Sequence, residues 1–171
     1  MSLTSDRGFI QNVLHRVRDE LGPSFSGAAF IDGTFQILRG LSEEDLASMQ
    51  EEQDSLCHRC GACCTVSRYV RMTEEEFGAI AAYLGVSPRD LASGADALRE
   101  EGYYLVSGSP CPFYDAPDRG CSVYDVRPRV CRLFPMGFSL KQMGEGRPPF
   151  FTGCPATEDL LVRFIVRRLR E

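Results

Sequence analysis

The sequence predicts a mostly helical α+β protein in which short helices and long irregular loops are organised around a cysteine metal-binding cluster. Three observations lead there. Apolar residues recur at helical spacing near both ends of the chain, and capping signals open further helices between them. Eight cysteines lie between positions 57 and 154, three of them inside a Pro-, Gly- and Arg-rich stretch that is a poor candidate for order by itself. With 171 residues, 43% hydrophobic and 25% charged, the chain has the balance of a globular protein with a core of its own. The expected organisation is an N-terminal helical extension over residues 1–50, packed on a cysteine-cluster metal-binding domain over residues 51–171 that forms a single globular unit.

Phe9, Ile10, Val13, Leu14, Val17 and Leu21 form one apolar stripe at helical spacing, so residues 6–21 are expected to be an amphipathic helix closed by Gly22-Pro23. Residues 28–31 and 34–38 read as two short strands around an Asp32-Gly33 turn. Ser42, with Asp45 three residues later, caps a helix running to about residue 55 with Leu46 and Met49 inward. The first cysteines then fall in a loop, where Gly61 permits a tight backbone, and residues 65–72 suggest a short strand. Thr73 and Glu76 form a capping box that opens a helix through Phe77, Ile80, Ala81 and Leu84, ended by Gly85. Ser87 and Pro88 open another.

Residues 103–106 suggest a strand, and residues 107–139 are irregular chain that metal held by Cys111, Cys121 and Cys131 would order. Within that stretch Asp125 caps a short helix with Pro128 in its first turn and Pro135 as its stop, which places Cys131 on a helical turn. Residues 144–149 read as a surface loop. Residues 155–170 form the last helix, with Leu160, Leu161, Phe164, Ile165 and Leu169 on its apolar side and arginines towards its favourable C-terminal end.

The cysteines are spaced as Cys57-x2-Cys60-x2-Cys63-Cys64, then Cys111, Cys121 and Cys131 at ten-residue steps, then Cys154. Short turn-compatible gaps that bring thiolates together from separate stretches are the mark of a metal site, provided the thiols stay reduced. Asp6, Arg7, Arg16, Arg18 and Asp19 interrupt the N-terminus, which lacks the apolar run of a signal peptide, and no segment offers the uncharged run of a membrane span. A cytoplasmic location without membrane contact is therefore expected, and with it free thiols rather than disulfides. A net charge of −5 argues against nucleic acid as a partner.

Neighbouring side chains diverge from the backbone, so adjacent Cys63 and Cys64 suggest two centres. Cys57, Cys60 and Cys63 can reach one of them; Cys64 would then face the other or the protein core. A run of Cys-x2-Cys-x2-Cys with a remote Cys-Pro, here Cys111-Pro112 and Cys154-Pro155, is the ligand pattern of a bacterial ferredoxin cluster. Iron, as an iron–sulfur cluster or an ion, is accordingly favoured, with four-thiolate zinc as the alternative. Eighteen of the nineteen basic residues are arginine. Arg59, Arg68, Arg71 and Arg119 lie near cysteines in sequence, while Arg127 and Arg132, flanking Cys131, are assigned to offset the anionic cofactor by hydrogen bonding to thiolate or sulfide. His58 is read as solvent-facing at the tip of its turn and His15 as a surface residue; Tyr103, Tyr104, Tyr114 and Tyr124 are read as packing.

Cys57-His58-Arg59-Cys60-Gly61-Ala62-Cys63-Cys64, Cys111-Pro112-Phe113, Cys121-Ser122-Val123-Tyr124, Arg127-Pro128, Cys131-Arg132-Leu133-Phe134-Pro135 and Cys154 resemble the CxxCxxCC family of zinc- or iron-chelating domains over about residues 56–155. The resemblance implies metal chelation through all eight cysteines. The same domain occurs in flagellin lysine N-methylase, so it also implies, as an alternative, a metal-dependent group-transfer enzyme such as a protein lysine methylase. No nucleophile–base pair, phosphate loop or dinucleotide fingerprint accompanies the cysteines, and the expectation leans away from an enzyme. The expected function is metal binding in a redox, metal-handling or accessory role beside a redox or enzyme partner protein, with a structural zinc interaction module as the remaining alternative.

Overall fold

Amphipathic helices build one of the two compact units into which the chain divides, Met1–His58 together with Pro135–Glu171; a small sheet anchors the other, Arg59–Phe134. The computed structural model describes residues 7–67, 69–118, 120–136 and 150–171. The loop expected over residues 144–149, and Arg68 and Arg119, lie outside the described residues.

In the first unit α1 (Arg7–Leu21) buries Phe9, Ile10, Val13 and Val17 against the last helix, α8 (Pro155–Arg170), which contributes Leu160, Leu161, Phe164 and Ile165. The stripe expected from the spacing is the buried one. Each such side chain contributes roughly 1.5–3 kcal/mol on burial. The exposed ion pairs of Arg167 with Glu52 (3.2 Å) and Arg168 with Asp45 (3.0 Å) are worth below about 1 kcal/mol each, so apolar contact decides the packing. α3 (Glu43–Glu52) starts on the expected capping box, with the Asp45 N–H donating to Ser42 Oγ and the Ser42 N–H donating to Asp45 Oδ2. A 3-10 turn (Gln53–Leu56) follows, in which Gln53 Oε1 accepts the buried Met136 N–H at 3.0 Å.

Residues 28–39 correct the sequence reading: they form one helix, α2 (Ala28–Arg39), in place of two strands around Asp32-Gly33. Thr34 and Leu38, four residues apart, are buried on one face, and Phe30, Phe35 and Ile37 pack against the same core. That burial outweighs the cost of about 1 kcal/mol for Gly33 inside a helix. The helix is bounded by Gly27, at φ 84°, and by Gly40, whose N–H donates to the carbonyls of Gln36 and Ile37.

The second unit holds a three-stranded antiparallel sheet in the order β1 (Tyr69–Thr73), β3 (Tyr103–Ser107), β2 (Ala97–Glu100). β2 had no signal in the sequence, and β1 starts four residues later than expected. Val70 and Ala97 both pair with Val106, so alternate residues of the strands face the helices α5 (Glu74–Leu84) and α6 (Pro88–Gly94). Phe77 of α5 stacks on Tyr104 of β3, with ring centroids 3.8 Å apart and planes at 11°. Both helices carry the caps the sequence predicts: the Thr73–Glu76 box, and Ser87 Oγ accepting from the Asp90 N–H.

Thr34 Oγ1 is the buried side-chain polar atom left without a hydrogen-bond partner among the described residues. Val has the same branched shape without the hydroxyl, so Thr34→Val is expected to stabilise the protein by about 1–2 kcal/mol in chemical denaturation. A loss of stability would show that the hydroxyl has a partner the fold requires.

Candidate metal centre

A left-handed glycine starts the site. Gly61, at φ 72°, turns the chain into the short helix α4 (Ala62–Val66), which carries Cys63 and Cys64; the first cysteines were expected in a loop. The Cys111 N–H donates to the Cys64 carbonyl at 2.8 Å, and Ser109 Oγ donates to the Thr65 carbonyl at 3.2 Å, so two distant segments meet at this helix. The approach depends on Gly108: at φ 149°, a Cβ there would stand 3.0 Å from the Pro110 carbonyl oxygen and 3.1 Å from the Pro112 ring.

Cys121 lies on β5 (Gly120–Cys121), paired with Tyr114 of β4 (Tyr114–Asp115), and Ser122 fastens this hairpin by donating both N–H and Oγ–H to the Phe113 carbonyl. Tyr124–Val126 is a 3-10 turn that includes Asp125, and Pro128 takes the capping position of α7 (Arg129–Arg132), which carries Cys131 as expected. The Arg129 N–H donates to Glu76 Oε1 at 2.7 Å and ties α7 to α5. Cys63, Cys64, Cys111, Cys121 and Cys131 thus pack into one apolar cluster with Val70, Phe77, Phe113 and Val123.

Cys64 is the hub of this group. The contacts with Cys111, Cys121 and Cys63, together with burial, raise its pKa far above that of a free thiol, so Cys64 is the last of the group to ionise. The hydrogen bond from Cys64 brings Cys63 down to about 7. The same donor brings Cys121 down to about 6, helped against burial by the Val123 N–H and the positive charge of Arg127. Cys111 is also lowered, by Cys64 and the Phe113 N–H. Cys131 goes the other way, pushed up to about 12 by burial and by the neighbouring charges of Cys63, Cys111 and Cys121.

The Cys63 and Cys64 sulfurs are 3.9 Å apart, contrary to the expectation that neighbouring side chains diverge. Two thiolates on one tetrahedral ion, each about 2.3 Å from it, stand about 3.8 Å apart. The donor chemistry therefore fits a thiolate-seeking ion such as zinc or iron. Among the described residues no three Cys, His, Asp or Glu side chains already surround a common point, so loading requires side-chain rearrangement.

Arg127 and Arg59 stack on the Tyr124 ring at 3.7 and 3.9 Å from its centroid, and Arg127 also donates to the Tyr124 carbonyl. Arg127 is thereby held where its charge lowers Cys121, while Arg132 Nε donates to the Arg127 carbonyl and acts as its brace. Tyr124, read from the sequence as packing, is the platform for both cations. Arg71 stacks on Tyr103. Arg127, Arg129, Arg132, Glu75, Glu76 and Asp125 line an open cleft of about 440 Å³, which the sequence did not disclose because α5 and α7 are far apart along the chain.

The remaining cysteines lie outside this cluster. Cys60 belongs to the second unit and is exposed, Cys57 is exposed in the first, and Cys154, half-buried, caps α8 in the first. His58 is not simply solvent-facing: its Nε2 stands 2.5 Å from Asp159 Oδ2 on α8. Arg16 donates to Asp159 at 2.7 Å and to Glu158 at 3.0 Å. Burial works to raise the Asp159 pKa, but the hydrogen bonds from His58 and Arg16 outweigh it and hold the carboxyl below its ordinary value. His15 pairs with Asp19 on the exposed side of α1.

Residues 56–149 match the profile of the CxxCxxCC family, described as "Putative zinc- or iron-chelating domain". The chain belongs to this family. An uncharacterised protein of Methanocaldococcus jannaschii is 31% identical over 88 residues, which cover 50% of this chain and 46% of the relative. The chain thus spans less than half the length of this curated relative. No solved structure matches. The CxxCxxCC match contains seven of the eight cysteines and ends before Cys154. Among the described residues no helix is long and apolar enough to cross a membrane.

Thiolate ultraviolet absorbance of the metal-free CxxCxxCC protein is expected to rise in steps near pH 6 and pH 7, well below the ordinary thiol value of 9.0, as Cys121 and then Cys63 ionise. Cys121→Ser removes the first step, and Arg127→Gln moves it to higher pH because a stabilising positive charge is gone. A titration that begins only near pH 9 would contradict the lowering of these thiols by their neighbours.

Proposed function

We propose that this protein chelates a single zinc or iron ion in the buried cluster of its second unit, through Cys63, Cys64, Cys111 and Cys121. What carries the reading is Cys64, a thiol whose immediate neighbours are three further cysteines, Cys63 beside it in sequence and Cys111 and Cys121 from two other segments of chain. In a four-iron cluster each thiolate binds a different iron atom and stands further from the next than two thiolates on one ion do, so the 3.9 Å spacing of Cys63 and Cys64 favours an ion over the ferredoxin-type four-iron cluster suggested by the Cys-Pro pairs.

The chain's own residues divide the work. Cys63, Cys111 and Cys121 present sulfur with lowered pKa, and Cys64 gives up its proton when the ion replaces it, so loading releases protons. Cys131, kept neutral by burial, stands beside the four as a packed thiol. Arg127, braced by Arg132 and Tyr124, offsets the negative charge of the loaded site. A bound zinc or iron ion would supply cross-linking of three chain segments and, if iron, one-electron redox chemistry. A metal-handling or accessory role in a reducing, cytoplasmic setting, beside a redox or enzyme partner, fits exposed cysteines kept free of disulfides.

Anaerobic purification followed by zinc, iron and acid-labile sulfide analysis is the test. The expected result is zinc or iron without labile sulfide, and at least a tenfold loss of affinity in Cys64→Ser and Cys121→Ser against a much smaller loss in Cys131→Ser. Far-ultraviolet circular dichroism of each variant separates lost ligation from lost folding. A folded wild-type protein that binds neither metal would overturn the reading, and labile sulfide in proportion to iron would replace the single ion by a cluster.

A further inference from the structure

We propose that Cys64 and Cys111 are an oxidative modification site: a peroxide-class oxidant joins their sulfurs in a reversible disulfide, and that bond displaces the metal ion. The proposal rests on the chelation reading above and names what governs occupancy of the same site.

The backbone brings the two residues into bonding range. The Cys111 N–H donates to the Cys64 carbonyl at 2.8 Å, and residues hydrogen-bonded in this way in an antiparallel ladder hold their Cα atoms about 5.5 Å apart. A disulfide spans Cα atoms about 4.4–6.8 Å apart, so this pair can close without moving the chain. The two thiols are in contact, and both side chains are buried in the same apolar cluster. Among the described residues no other pair of the clustered cysteines is joined by both a backbone hydrogen bond and a thiol contact. Cys63 and Cys64 have sulfurs 3.9 Å apart, but consecutive residues of α4 do not face each other, and a bond between them would close a ring on one peptide group and break that helix. Cys121 touches Cys64 through its thiol, with no backbone bond to hold the two chains in register.

The cluster is open to a small oxidant, because Cys63 and Cys121 are only half-buried and peroxide is little larger than water. The Cys111 thiolate attacks one oxygen of hydrogen peroxide; the O–O bond breaks, hydroxide leaves, and the sulfur becomes a sulfenic acid. The Cys64 sulfur then attacks the sulfenic sulfur, the S–O bond breaks, and the oxygen leaves as water with the Cys64 proton. Two electrons pass from the sulfurs to the peroxide. A bond made first between Cys64 and Cys121 reaches the same end when the Cys111 thiolate attacks the Cys64 sulfur and Cys121 leaves as thiolate. Only a thiolate ligates, so oxidation withdraws two of the proposed ligands and leaves Cys63 and Cys121, too few to retain the ion. A small dithiol reverses the bond and restores the site.

The test treats the full chain, metal-free and zinc-loaded, with one equivalent of hydrogen peroxide, followed by non-reducing proteolysis and mass spectrometry with fragment ions to locate the bonded sulfurs. The expected cross-link joins Cys64 to Cys111. In the zinc-loaded protein a colorimetric chelator should register release of the ion in step with that cross-link, with zinc affinity lowered tenfold or more until dithiothreitol restores it. Replacing the exposed Cys57 and Cys60 by Ser should leave the cross-link in place, and Cys111→Ser should abolish it. A cross-link from Cys64 to Cys121 or Cys131 in place of Cys111, or zinc retained on the cross-linked protein, would overturn the proposal and leave chelation standing. A protein that forms the cross-link yet binds no zinc when reduced would overturn the chelation reading and the displacement with it.

Discussion

One backbone hydrogen bond organises the second unit: the Cys111 N–H donating to the Cys64 carbonyl at 2.8 Å. It joins the segment that carries Cys63 and Cys64 to the segment that carries Cys111, at a point where Gly108 alone can take the backbone through. Once the two are joined, the β4–β5 hairpin brings Cys121 alongside and α7 brings Cys131. Five thiols are thereby committed to an apolar cluster, where polar groups must find partners among themselves. Cys64, with its pKa raised by its three cysteine neighbours and by burial, is the thiol around which the others gather.

The same arrangement explains why the site suits a soft metal. Burial opposes charge, yet Cys121 and Cys63 are brought down to about 6 and 7 because each lies beside the Cys64 thiol and Arg127 lies close to Cys121. An ion that replaces the proton keeps those contacts and adds charge where the cluster lacks it. Cys131 marks the limit of the effect: with three thiolates nearby and burial against it, a further negative charge is not tolerated. In the first unit, by contrast, Cys57 is exposed and His58 pairs with Asp159, which Arg16 also holds.

Much of this was legible in the sequence, for identifiable reasons. The terminal helices follow from a 3.6-residue period that burial reproduces, and the capping boxes at Ser42 and Thr73 form as written because their bonds are local. Residues 28–39 misled because Asp32-Gly33 is a strong local turn signal, whereas the helix is selected by contacts of Thr34 and Leu38 with distant residues. The cysteine spacing pointed to metal, and the family match agrees. Spacing could not show how the cysteines group, since Cys64 meets Cys111 and Cys121 through tertiary contacts forty residues and more away in sequence. His58 is exposed as read, and its partner Asp159 was hidden for the same reason, lying 101 residues further on.

The central claim is that metal on the buried thiols organises the segment from Cys111 to Cys131. Amide hydrogen exchange before and after chelation tests it most directly. Removing the metal should collapse protection at the Cys111, Ser122 and Cys131 amides, while α1 and α8, held by their own apolar core, keep theirs. Equal protection of those amides with and without metal would contradict the account.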